Sequence, residues 1–581
     1  MSDSDAPAAP QTSGTSKLFI RQSSGLVRDV SVTNALFFNV AAFVGVGLTL
    51  YPAFYSLAFV PVWTYAGISE YAWAAIVSGL FFILLSLIFA SLTSVMPRSG
   101  GDYVFTTRIC GPFLGWLESW TLVIASIAIM AFEVPLVLRN LQITGRIIGI
   151  GHGGHFWNNA NNWFTNSTGL ITGWQGFIWS LVVLAVITFI VLLPTRRFHK
   201  VVTTLALIGV ASFVLMFIFG LLATSKSDFV HNLPHYNNGV GAAKVAASGS
   251  AILPGATNNF VGDLFSHTVF PFMLGIVFLQ FIGYQYSAYI SGEVRGNVKR
   301  GVMAALLGAL AIGVLCNSLY VDAISKHLGF NTNVSWGFNY WGGVTSTPLP
   351  LGQPNSMPLL AVIANHGLWP LWAVISFAGA IFPLLLCPVY INFISRMGLA
   401  WSLDRQLPEW FGEVNERMRA PLNAIIATLG ITALFLLLQN FALLPHSIAP
   451  PSGKLNLVAT LWFSIFMAAL TWIMPGVNAI LVGIRRKDLV ANAPYRRALP
   501  WIGLVWLLFP AWIYWWAGIK PIWDNVTGSG SGKGLDYLNN SGITGTLVFV
   551  AIGLVIYVVM AVVRRNSGVD QKMLFAEIPP D

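Results

Sequence analysis

Glu133 is the residue whose chemistry asks most of its surroundings. It falls near the middle of an apolar run from 114 to 148, whereas Glu118 lies about four residues in from that run's start. A charged side chain at the centre of a membrane helix costs roughly 2.5–3.5 kcal/mol on insertion scales, so such a residue is a functional candidate by default. Three roles are open to it: pairing with a cationic substrate, carrying a proton, or partnering Arg139 or a polar group on another helix structurally. Arg139 is six residues further along and faces another side of a helix, which weakens the direct pair.

A second kind of candidate is backbone rather than side chain. The stretch "NVAAFVGVGLTLYPAF" carries Gly45 and Gly47 with Pro52 beyond, and "FPFMLGIVFLQFIGYQYSAYISGEVRGN" carries Gly283 among polar residues. Relative to Ala, Gly costs a helix about 1 kcal/mol and Pro about 3. Freed backbone groups are tolerated at membrane depth only inside protein or beside a water-filled cavity. Interrupted apolar segments in corresponding places of two halves point to a transporter's binding site, while small residues also serve plain close packing of helices. Tyr284, Tyr286 and Tyr289 follow Gly283 and are either a gate over a ligand or packing residues.

Enzyme chemistry finds little support. The nine histidines fall mostly in loops or at span ends without metal-binding spacing, no phosphate-binding Walker motif occurs, and Cys110, Cys316 and Cys387 form no disulfide framework. No metal or cofactor is expected.

The elements that must position these residues are membrane helices. The 581 residues are 56% hydrophobic and only 9% charged, with a mean hydropathy of +0.71, which lies outside the range of soluble domains. Apolar runs long enough to span a bilayer recur at about 32–60, 72–95, 114–148, 175–193, 201–223, 266–290, 302–324, 370–395, 422–440, 457–484, 500–518 and 543–563. This predicts an all-α membrane protein of twelve spans with both termini on one side. That side gathers most of the basic residues, among them Arg196, Arg197, Lys299, Arg300, Arg485 and Arg486, while the other holds only Lys226, Lys244, Lys326, Lys454, Lys520 and Lys533. The positive-inside rule makes the termini cytoplasmic, and the net charge of +10 then needs no nucleic-acid partner. Glycosylation sequons at Asn166, Asn333, Asn525 and Asn539 all fall on the opposite side. Trp157, Trp163, Trp336 and Trp341 read as interfacial anchors. The chain divides into a cytoplasmic tail over 1–31, disordered to about Gln22, a transport core over 32–485, two further helices with their connecting loops over 486–563 and a cytoplasmic tail over 564–581.

Four stretches, in order, carry a family resemblance: "VGVGLTLYP", "PRSGGDY" followed by "GPFLGW", "FIGYQYSAYISGEVRGNVKRGV" and "SRMGLAWSLDRQLPEWFGEVNERMRAPLNAI". Together they resemble the amino acid-polyamine-organocation superfamily. The resemblance implies a ten-helix core in a five-plus-five inverted repeat with discontinuous helices 1 and 6, helices 11 and 12 being peripheral. It also implies alternating access at the plasma membrane, with substrate held between helices 1, 3, 6 and 8. Free N–H groups at a broken helix's new N-terminus suit a carboxylate, which points to Val46 and Gly47. Free carbonyls suit an ammonium, and by family position these come from Phe43, Leu279 and Ile282. The family's helix-3 pocket maps to Ser126, Met130 and Glu133, and Gly45, Phe281, Gly283 and Gln285 complete the implied site, with Tyr284 and Tyr286 as its candidate gate. Gln285 stands where some relatives have a glutamate, the fifth span has no lysine, and the eighth has no Ser or Thr between Phe377 and Ile394. The first departure removes a proton-sensing role at that position, the second removes a lysine that some proton-coupled relatives carry, and the third leaves no hydroxyl ligands where sodium-coupled members place them, which disfavours sodium coupling; exchange or facilitated transport without an ion, and proton coupling through Glu133, remain. The expected substrates are amino acids or polyamines; a non-transporting sensor or channel of the same fold is the alternative, and oligomeric state is not legible.

Overall fold

In hydrocarbon each span must satisfy its own backbone N–H and C=O groups, which leaves helices as the natural element for a chain this apolar. The computed structural model describes residues 28–44, 63–165, 171–248, 255–256, 262, 270–341, 356–441, 463–491, 493–527, 542–567 and 575. Among these, ten helices are long and apolar enough to cross a membrane: Glu70–Val95, Pro112–His152, Gly173–Val191, Thr195–Leu222, Val298–Leu328, His366–Leu403, Leu422–Asn440, Phe463–Arg485, Leu499–Val526 and Ile543–Asn566. They coincide with expected spans two to five and seven to twelve. Of the expected first and sixth spans the described residues include the helices Val32–Phe43 and Phe270–Gln280, while positions 45–60 and 266–269 lie outside them.

The third and eighth spans form the axis of the bundle and pack on each other more extensively than any other pair of elements. The most apolar stretch of the third span is entirely buried, whereas only 6% of the corresponding stretch of Ile543–Asn566 is. The last helix thus sits at the rim, fastened by Trp116 and Trp120, whose indole N–H groups donate to the Gly553 and Phe549 carbonyls at 2.8 Å each. Helix starts are set locally. Ser31 and Ser69 accept from Asn34 N–H (3.1 Å) and Ala72 N–H (3.4 Å) at the N-termini of the first two helices, and Asn297 accepts from Arg300 N–H at 3.1 Å before the seventh span.

Several of the described connections between spans are tied by pairing. Trp63–Tyr65 pairs antiparallel with Ile68–Ser69 through an Ala66–Gly67 turn, both of whose residues have positive φ, as a tight hairpin requires. At the end of the bundle that carries loops 96–111, 291–297 and 404–421, two buried ion pairs join distant segments. Arg108 holds Asp404 bidentately at 2.5 and 2.7 Å, and Arg396 holds Glu293 at 2.9 and 3.1 Å.

Two expectations for the outer loops change. Trp336 is fully buried rather than interfacial, because Phe330–Trp341 folds into a helix packed on Ala242–Ser248, where Ser335 Oγ donates to the Ala246 carbonyl at 3.0 Å. In the same helix Asn333 is buried and donates to Ser325 Oγ at 2.7 Å, so this sequon is not displayed.

Candidate functional site

The sixth span ceases to be an α-helix at Gln280. Beyond it the chain continues as successive three-residue turns: Ile282 N–H donates to Leu279, Tyr284 to Phe281, Tyr286 to Gly283, Ala288 to Gln285 and Tyr289 to Tyr286, at 2.9–3.3 Å. Gly283 sits at the change of winding with φ +104°, and a Cβ built there would lie 2.6 Å from Ala42 Cβ and 3.1 Å from the Ala42 carbonyl oxygen. Both the backbone region and the close approach to the first span therefore demand glycine. Gln285 Oε1 accepts from Gly283 N–H at 3.3 Å, replacing the helical bond lost there, while its buried Nε2 has no partner among the described residues.

The first span runs as helix to Phe43 and meets the broken segment side by side. Asn39 stitches the two reciprocally: its Oδ1 accepts from Ser287 N–H at 2.7 Å and its Nδ2 donates to Ser287 Oγ at 2.9 Å. Gly45, Val46 and Gly47, the expected carboxylate-binding positions, lie outside the described residues. The Phe43 carbonyl accepts from Asn317 Nδ2 at 2.9 Å. Asn317 belongs to a π-helical turn, Leu315–Tyr320, inside the seventh span, and such turns re-aim side chains and recur at functional sites.

From the third span, Ser126 Oγ lies 3.2 Å from the Tyr286 hydroxyl. Met130 is fully buried. Glu133, 3% exposed, has no donor for its Oε2 among the described residues, and it faces Cys387 and Tyr390 of the eighth span closely enough for electrostatic interaction. The Tyr390 hydroxyl donates to the Ile282 carbonyl at 3.3 Å, and its ring meets that of Tyr286 at 5.1 Å. Arg139 donates to Gln142 Oε1 at 2.9 Å; Glu133 makes no ion pair among the described residues, so the structural partnership with Arg139 is not formed.

The structure thus gathers Ser126, Glu133, Ile282, Gly283, Gln285 and Tyr286 around the break and adds Tyr390. It separates others. Phe281 stacks between Phe43 and Phe82, at 5.8 and 4.8 Å, and Tyr284 meets Phe82 at 5.0 Å, so these two rings join an aromatic cluster against the second span. Tyr284 and Tyr286 consequently do not form one gate in this conformation. The three carbonyls expected to be free are each engaged: Phe43 by Asn317, Leu279 by Ile282 N–H and Ile282 by Tyr390. Tight turns and side chains re-satisfy groups that an unwound segment would leave open.

Asn39, Asn317 and Tyr390 escaped sequence reasoning. The first two carried a usable signal as amides inside apolar runs, "FFNVAAF" and "VLCNSLY", since a buried amide requires partners.

Residues 31–530 match the amino acid permease family. The branched-chain amino acid permease BcaP of Lactococcus lactis subsp. cremoris is 22% identical over 396 residues, covering 67% of this chain and 72% of that protein. An uncharacterized transporter of Rhizobium meliloti is 24% identical over 370 residues, 62% of this chain and 64% of its own length.

Proposed function

The chain belongs to the amino acid permease family, and from that premise we propose that it is a secondary transporter carrying amino acids or related amines across the plasma membrane by alternating access. The observation that carries the reading is the sixth-span break, held against the first, third and eighth spans with Glu133, whose Oε2 has no donor among the described residues, beside it. In this reading the twelve spans comprise a five-plus-five inverted repeat with two peripheral helices, and both termini are cytoplasmic.

Substrate binding follows from the same groups. The carboxylate takes the N–H groups of the Gly45–Gly47 stretch, where a new helix N-terminus carries about half a positive charge. The ammonium takes carbonyls of Phe43, Leu279 and Ile282, each of which keeps a second lone pair beyond the bond it already accepts. The side chain then meets Ser126, Met130, Glu133 and Gln285, with Tyr286 closing above it. The named specificity of the Lactococcus relative favours an apolar side chain. Glu133 favours a cationic one, unless its partner is a proton.

Stabilisation of purified protein by a panel of amino acids and polyamines, wild type beside Glu133→Gln, separates these readings. If arginine, lysine or a polyamine stabilises only the wild type, Glu133 selects a cation. If branched-chain or other neutral amino acids stabilise both forms, Glu133 serves proton coupling or structure, and proteoliposome flux against a pH gradient divides those. Ligand binding without net or exchange flux would make the protein a sensor, and failure of every amino acid and amine to bind would defeat the proposal.

A further inference from the structure

A pair of carboxylates lies away from the substrate region, at the basic end of the bundle. Asp102 opens the short helix Asp102–Ile109 and Glu118 lies on the first turns of the third span; both are fully buried. They face each other. Tyr289, at the end of the broken sixth span, donates its hydroxyl to Asp102 Oδ2 at 2.6 Å. Asp102 Oδ1 and both Glu118 oxygens have no donor at hydrogen-bonding geometry among the described residues.

Among the described residues no cation compensates the pair. The Thr106 hydroxyl turns toward Glu118 from outside hydrogen-bonding geometry while accepting from Asn478 Nδ2 of the tenth span at 2.7 Å. Tyr286 and Tyr289 are the titratable groups that approach from the sixth span, and Cys110 that from the short helix. Arg485 lies beyond Cys110 and donates to the carbonyls of Ile109 and Cys110. Arg108 is turned to Asp404 and Arg396 to Glu293.

Two ionised carboxylates have only acceptors to offer each other, and like charges at close range in a dry site cannot both be retained. A single proton converts the pair into donor and acceptor. We propose that Asp102 and Glu118 form a proton-binding site holding one shared proton while this end of the protein is closed. Burial pushes the Asp102 carboxyl above the usual carboxylate range, against the lowering effect of the Tyr289 hydroxyl, and the titration belongs to the pair rather than to either residue. The site is joined to the moving parts of the proposed transporter. Gly100 N–H donates to the Tyr289 carbonyl at 3.0 Å, and a Cβ on Gly101 would sit 2.7 Å from the Tyr289 ring, so the loop bearing Asp102 clasps the sixth span. Parting that clasp admits water, which removes the reason for the carboxyls to share a proton.

Proton binding by the pair can be read without any substrate, so a failure here leaves the proposed transport untouched. In lipid-reconstituted full-length protein carrying Glu133→Gln, infrared titration should show a carboxylic-acid carbonyl band at pH 7 that fades as pH rises further. The double variant Asp102→Asn/Glu118→Gln in the same background should lose the intensity of one carboxyl. Each single variant should lose its band at lower pH than the parent, because the like charge that held the proton is gone. Unchanged intensity in the double variant would overturn the proposal. So would a parent without the difference band that sodium or potassium stabilises thermally while leaving the double variant unaffected, which would make the pair a metal-cation site. A folded double variant is shown by a tryptophan fluorescence spectrum matching the parent's; if it misfolds, the shift in the two single variants decides alone.

Discussion

Replacing Gly283 with Ala tests the break by the sign of its effect. In a continuous membrane helix the change would be favourable by about 1 kcal/mol, the difference in helix propensity. At φ +104° an Ala adopts backbone geometry that L residues avoid, costing about 1–3 kcal/mol. Its Cβ, 2.6 Å from Ala42 Cβ and 3.1 Å from the Ala42 carbonyl oxygen, must also force the first and sixth spans apart, an overpacking cost of about 1–3 kcal/mol. The sum is a loss of about 2–6 kcal/mol, opposite in sign to the helical expectation. Gly430, helical within Leu422–Asn440 and with open space where a Cβ would go, is the control, and Gly430→Ala should be neutral or stabilising. Unfolding of both variants in mixed micelles with rising denaturing detergent gives the comparison. Equal or greater stability of Gly283→Ala relative to wild type would refute the strained break and with it the geometry of the proposed site.

Two further substitutions probe what holds the broken segment. Asn39→Ala leaves the buried Ser287 N–H and hydroxyl without partners and should cost about 1–3 kcal/mol for each group left unpaired; the same unfolding assay reads it, and a loss below about 0.5 kcal/mol would show that water or a rearranged neighbour takes over. Arg396→Ala strands Glu293 in a buried position and should cost about 3–5 kcal/mol, whereas Arg396→Met with Glu293→Leu should recover most of that loss. If the double variant is no better than the single, the pair is part of a wider network rather than a self-contained one.

How much of this was legible beforehand depends on the range of the interaction. Ten of the expected spans are found as single long helices because a run of apolar residues is a local property and the bilayer fixes its length. The interruption at Gly283 was legible for the same reason: glycine among polar residues inside an apolar run has few explanations. The directions of the side chains around it were not. Once the chain winds in three-residue turns, residues two apart diverge widely around the axis, which sends Tyr284 to Phe82 and Tyr286 to Ser126 and Phe393. The occupied carbonyls were equally hidden, since their donors, Asn317 and Tyr390, come from other spans. Asn39 and Ser287 are 248 positions apart, and nothing in either local sequence announces the other.

The distribution of buried polar links bears on how such a transporter would work. From Tyr286 to Arg295 the tail of the sixth span is tied to three separate elements: to the first span through Asn39 and Ser287, to the loop before the third span through Tyr289 with Asp102 and Gly100, and to the eighth span through Glu293 and Arg396. Each link is short and shielded from water, so none can be stretched gradually; each is either made or replaced by hydration. The segment behaves as a latch with discrete states, and opening this end in an alternating-access cycle requires several links to part together. A ligand can drive that only through its differential affinity for the two states, and a shift from one per cent open to ninety-nine requires about 5.5 kcal/mol. The groups next to the break that lack partners among the described residues, Glu133 Oε2 and Gln285 Nε2, are where such a difference can arise, because a ligand that satisfies them in one state and not in the other changes the balance without touching the latch. In an alternating-access cycle these groups and the latch would then be two halves of one device: the first would make the closed state sensitive to occupancy, and the second would make its response all-or-none.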